Sequence, residues 1–127
     1  FELQRYYSWI VDRFHISTQV YQRSTYGKRY NFQWLEDRLA ALNFRLIFCT
    51  RRPETFADAR RERIKVSGKP SQYDDLHVFI REQEMLREFI GLSKLTSMEI
   101  DVSDDNVAHA TDRIADWLEE TGGLIAT

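Results

Sequence analysis

Apolar residues follow two rhythms along this chain. "YYSWIV" and "RLIFCT" are short continuous apolar runs of strand length, and they predict buried strands at about 7–11 and 45–50. "SMEIDVS" at 97–103 predicts a third strand. The remaining apolar positions recur at helical spacing. In "NFQWLEDRLAALN", Leu35, Leu39 and Leu42 share a face opposite Glu36, Asp37 and Arg38, and Asn31 is a fitting cap. "PETFADARRERIKV" opens with Pro53, a first-turn residue, and continues with helix formers. A long helix is expected from about Asp75 to Ile90, turning Leu76, Phe79, Ile80, Leu86 and Ile90 inward. A last helix is expected at about 104–120. Ser103 or Asp104 would cap it, Val107, Ala110, Ile114, Trp117 and Leu118 would be buried, and Gly122 and Gly123 would end it. "SGKPSQYDD" is the one clear loop.

Strands that alternate with helices imply an α/β fold, with a parallel sheet and helices on both faces. Continuous apolar strands fit such a sheet, because both of their faces are covered. All 127 residues fit within one domain. With 43% hydrophobic and 30% charged residues the chain can bury a core, and Trp9, Trp34 and Trp117 are expected in or beside it. The net charge of −2 argues against a general binder of nucleic acid polymers. No apolar run approaches the roughly 18 residues of a membrane span, and "FELQRYY" lacks the pattern of a signal peptide. Cys49 is the only cysteine, so a reducing, cytoplasmic setting is expected, with its thiol buried as a small hydrophobe.

In open parallel sheets, ligands bind beyond the carboxyl ends of the strands. Asp12 and Arg13 follow the first apolar run, and Thr50, Arg51 and Arg52 end the second. A guanidinium offers two parallel donors to a phosphate, so paired arginine sites at neighbouring strand ends predict an anion pocket. Residues 51–65 hold six basic and three acidic side chains, a local +3 that favours a small phosphorylated ligand. The competing reading is a solvated helix face whose arginines pair with nearby Glu and Asp. His15, His77 and His109 show no metal spacing, and no serine sits in a G-x-S-x-G elbow. "SDDN" reads as a helix cap rather than a calcium loop.

The run "DRFHISTQVYQ" resembles the thymidylate kinase family of P-loop nucleoside monophosphate kinases. The matching positions are Asp12, Arg13, Phe14, Ser17, Thr18, Gln19, Tyr21 and Gln22, and the later elements follow the family's order more weakly. The resemblance implies a three-layer kinase sandwich, with a lid at about 51–75. It implies phosphoryl transfer from Mg-ATP to a (deoxy)nucleoside monophosphate, with dTMP the expected acceptor. Arg13 would grip the acceptor phosphate and Asp12 would organise the site near metal and phosphates. Ser17 and Thr18 would line the acceptor site, and Tyr21 would lie against the sugar. Arg13, Arg60 and Arg63 are the expected catalytic cations. Arg51, Arg52, Arg60 and Arg61 are the expected ATP contacts, and no side chain is assigned as a metal ligand. A homodimer is left open.

The chain departs from the family at "CTRRPE", where an aspartate-containing turn is usual, and at Arg23, where a small residue is common. Its lid also runs longer. No G-x-x-x-x-G-K-[ST] loop is present, since Gln22 and Arg63 stand where "YGKR" and "SGKP" would need the earlier glycine. The expectation is therefore the C-terminal portion of a longer kinase. The alternative is a non-catalytic nucleotide-binding or interaction module on the same fold. A kinase of another small acceptor is a third reading, and the Asp-Arg…Tyr-Gln run weighs against it.

Overall fold

The computed structural model describes residues 9–66 and 75–122. Its elements run α1 His15–Tyr26, α2 Gln33–Ala41, β1 Arg45–Thr50, a short 3₁₀ turn Pro53–Thr55, α3 Phe56–Ile64, α4 Leu76–Leu92, β2 Thr96–Asp101 and α5 Val107–Glu120. Among the described residues, the sheet is a parallel pair, β1 beside β2, in register from Arg45↔Thr96 to Thr50↔Asp101. The architecture is mixed α/β and mainly helical.

Local chemistry explains most boundaries. Phe14 stands at the N-cap of α1, and Arg13 before it, with a left-handed φ of 61°, turns the chain toward the helix. The helix ends at Gly27, also left-handed at φ 63°, where glycine carries no steric penalty. Asn31 satisfies an orphan amide at the start of α2, its Oδ1 accepting from Gln33 N at 2.8 Å. Pro53 starts the 3₁₀ turn that leads into α3. Asp75 caps α4, its side chain accepting from His77 N at 3.0 Å.

The core is small. Ile16 and Val20, one turn apart on α1, are buried with Leu39 of α2, Phe48 of β1, Leu95 just before β2 and Ile100 within it. α4 packs on α1 and also touches β1. There Arg87 lies 5.8 Å from the Phe48 ring centroid and donates to Glu99 at 2.8 Å. The carboxylates of Glu99 and Glu84 push the Arg87 guanidinium well above its ordinary pKa. α5 is tied at its far end, where Arg45 Nε donates to Thr121 Oγ1 at 3.1 Å and Asn43 Nδ2 to Gly122 O at 3.3 Å.

Several expectations need correction. Residues 9–11 form no strand: Trp9 is 59% exposed and Ile10 98%, with no ladder partner to hold them; residues 7 and 8 lie outside the described part. The cap of α5 is Asn106, which accepts from His109 N at 3.0 Å, rather than Ser103 or Asp104. Asp105 takes a left-handed φ of 56°, and this delays the helix start. Val107 is consequently exposed at the helix mouth, while Ala110, Ile114, Trp117 and Leu118 are half-buried. Trp34 and Leu42 are exposed, and so is Cys49. Most of "SGKPSQYDD", with part of the expected lid, lies outside the described residues. No described helix is long and apolar enough to cross a membrane.

Candidate site at the strand ends

β1 and β2 stay paired one residue beyond the sheet, through Val102 N donating to Thr50 O at 2.8 Å. Buried Thr50 adds a side-chain bond to Ile100 O at 3.4 Å. The next two residues are arginines, and each is fixed by its backbone. Arg51 N donates to Gln83 Oε1 and Arg51 O accepts from Gln83 Nε2, both at 2.9 Å. Arg52 N donates to Ser103 Oγ at 2.8 Å. Ser103 in turn donates to Asp101 Oδ1, through its hydroxyl and through its amide at 2.8 Å. The Ser103 hydroxyl above all, then its amide and Arg52, hold the Asp101 carboxyl below the usual range.

The side chains carry this network into two clefts. Arg51 is largely shielded, its guanidinium reaching Ser103 O at 3.5 Å and forming an ion pair with Asp105. On one side of it opens a cleft of about 330 Å³ walled by Val102, Val107, Ala110 and Ile114, mostly apolar. On the other side a cleft of about 460 Å³ meets α3 at Asp58, Glu62 and Arg63. Arg52 points to carboxylates, with Nε 3.1 Å from Glu54 Oε1 and Nη1 3.4 Å from Asp101 Oδ2. Arg61 pairs with Asp58 within α3, and Arg60 is half-buried there.

The residues of the Asp-Arg run sit on α1 and the turn before it. Asp12 is exposed. Arg13 is also open to solvent and reaches Glu82 of α4 at 3.9 Å. Ser17 is half-buried; Thr18 is exposed, its hydroxyl donating back to Phe14 O at 3.4 Å. Tyr21 is 55% exposed, with its ring edge-on to Tyr26 at 6.0 Å. Its phenol is raised above the ordinary pKa, chiefly by the hydrogen bond with Tyr26. The two groups of residues thus meet consecutive residues of α4: Arg13 at Glu82, Arg51 at Gln83.

This arrangement can receive an anion beside an apolar surface. An incoming phosphate would compete with Asp105 for the shielded Arg51 guanidinium. Among the described residues, no group of three His, Cys, Asp or Glu side chains could hold a metal ion. Magnesium usually takes one or two carboxylates plus substrate phosphates and water. Asp12 is the one carboxylate the Asp-Arg run offers, so these residues do not build a metal site by themselves.

No family model matches this chain, and no curated protein or solved structure matches it either.

Gln83, Ser103 and Asp105 escape the motif-based reading. Gln83 had a signal: it continues the apolar stripe of Leu76, Phe79 and Ile80 toward Leu86 and Ile90. A polar residue in that stripe must be satisfied inside the protein.

Proposed function

We propose that these residues form the acceptor and lid side of a nucleoside monophosphate kinase of the thymidylate kinase type. It transfers the γ-phosphoryl group of Mg-ATP to a deoxynucleoside monophosphate, dTMP in the first instance. The observation that supports this best is the convergence of Arg13 and Arg51 on neighbouring residues of α4. The Arg13 guanidinium reaches Glu82 and the Arg51 backbone is held at Gln83, so one helix supports both arginines, as two phosphorylated ligands that react with each other would need. The apolar cleft beside Arg51 suits a flat base.

Phosphoryl transfer asks the protein for positioning and for positive charge rather than covalent chemistry. In this reading Arg13 holds the acceptor phosphate by two parallel hydrogen bonds, and Asp12 orients the adjacent groups. Ser17, Thr18 and Tyr21 border the acceptor nucleoside. Arg51 and Arg52 exchange their carboxylate partners for ATP oxygens. Arg60, Arg61 and Arg63 on α3 bring further charge as the lid closes and excludes water. Magnesium, when bound with ATP, neutralises charge on the phosphates. This reading requires a phosphate-binding loop, and these 127 residues contain no G-x-x-x-x-G-K-[ST] run.

One observation favours the non-catalytic module instead: Arg51, Arg52 and Arg61 each already have a carboxylate partner. The deciding experiment supplies the full-length protein with Mg-ATP and dTMP and separates the products. Formation of dTDP and ADP in equal amounts supports the kinase. Nucleotide binding without transfer to any nucleoside monophosphate supports the module.

A further inference from the structure

We infer that Gln83 is a positioning residue that aims the Arg51 guanidinium at its ligand. This deepens the proposal that Arg51 meets ATP, and rests on it. Successive residues of a strand direct their backbone groups to opposite edges. Thr50 O faces β2, where it accepts from Val102 N, so the N–H and C=O of Arg51 face the other edge of β1. Among the described residues no strand lies there. The Gln83 amide takes its place, accepting from Arg51 N and donating to Arg51 O, each at 2.9 Å.

The residue type matters. An amide side chain presents a carbonyl and an N–H₂ group side by side, which matches the N–H and C=O of one residue on the open edge of a strand. Gln83 is buried, leaving those groups no ready replacement by water. On the following residue, Ser103 Oγ accepts from Arg52 N at 2.8 Å. The Arg51 peptide groups are therefore clamped, and the direction of the side chain with them. Its guanidinium is held between the two clefts, near Ser103 O and Asp105. Loss of the Gln83 amide frees this segment to rotate and moves the charge away from the cleft mouth.

The test is calorimetric titration of the full-length protein with Mg-ATP, for wild type, Arg51→Ala, Gln83→Met and the double variant. Methionine keeps the length and burial of the side chain but removes both hydrogen bonds. Gln83→Met and Arg51→Ala are each expected to weaken binding about tenfold or more, with the double variant no weaker than Arg51→Ala alone. That full coupling separates positioning from a general structural role, which would weaken the double variant further. If Gln83→Met fails to fold, Gln83→Glu carries the same test, since it keeps the acceptor for Arg51 N and should lose affinity only in part. Unchanged affinity in the Gln83 variant, or additive losses in the double variant, overturns this inference alone. Wild type that does not bind ATP, or Arg51→Ala that binds it normally, overturns the assignment of Arg51 as well.

Discussion

Nε2 of His15 lies 3.6 Å from Oε1 of Glu36, and both side chains are buried. The pair joins α1 to α2, and Ser93 past the end of α4 completes it by donating to Glu36 Oε2 at 3.0 Å. Phe14 and Phe32 stand nearly perpendicular to the imidazole, with centroids 5.8 and 6.1 Å away. Neither ring nitrogen of His15 has a hydrogen-bond partner. The carboxylate is thus the main polar neighbour of a histidine cut off from water, and the junction carries the helix that bears Ser17, Thr18 and Tyr21.

Removing one member of such a pair should cost more than removing both. Glu36→Leu removes the acceptor of the Ser93 hydroxyl and the polar neighbour of the imidazole, and is expected to lower stability by about 1–3 kcal/mol. The double variant His15→Leu/Glu36→Leu should recover part of that loss. Urea denaturation with an unchanged slope measures it. Equal stability of Glu36→Leu and wild type would show that the contact is incidental.

The depressed carboxyl of Asp101 sets a pH dependence with a definite sign. Its folded value lies below its unfolded one, so its contribution is present above the usual carboxylate range and fades as pH falls through the lowered value. Ser103→Ala removes the largest cause. Carboxyl NMR should then show Asp101 titrating closer to an ordinary aspartate, with acid unfolding beginning at higher pH. An unmoved titration would mean that Arg52, not Ser103, holds the charge.

The proposed function sets Tyr21 against the sugar of the acceptor, and with it the choice of sugar. A ring at that position would leave a ribose hydroxyl buried and unpaired, worth about 1–3 kcal/mol, or roughly 5- to 150-fold preference for the deoxy acceptor. Tyr21→Ala should raise relative activity on ribonucleotides, while Tyr21→Phe should keep most of the preference. The readout is the ratio of kcat/KM for matched deoxy and ribo monophosphates in the full-length protein. Tyr21 faces Tyr26 and is half open to solvent, so an unchanged ratio would reduce it to an exposed helix residue.

How much of this was legible depends on what the local sequence can encode. β1 at 45–50 and the arginines that end it follow directly from an apolar run broken by charge and Pro53. The α4 helix likewise matches its stripe and ends two residues later than expected, at Leu92. The first apolar run fails because its composition specifies a strand without specifying a partner, and Trp9–Val11 have none among the described residues. At "SDDN" several consecutive residues can all cap a helix. A left-handed Asp105, invisible to periodicity, selects Asn106. Cys49 is apolar by context yet exposed, since among the described residues β1 is flanked by only one strand. The arginines that follow β1 are legible in the sequence, and what holds them is not. Gln83 and Ser103 act on backbone groups that no motif records.

The central claim is that Arg13 holds the acceptor phosphate of a transfer from ATP. The most direct measurement is steady-state formation of dTDP from Mg-ATP and dTMP by full-length wild type and by Arg13→Lys. Lysine keeps the charge and loses the two-point geometry. The account predicts transfer by wild type and a fall in turnover of roughly 10²-fold or more in Arg13→Lys, with unchanged melting. Near-normal turnover in Arg13→Lys, or no transfer by wild type to dTMP or any other nucleoside monophosphate, would contradict it.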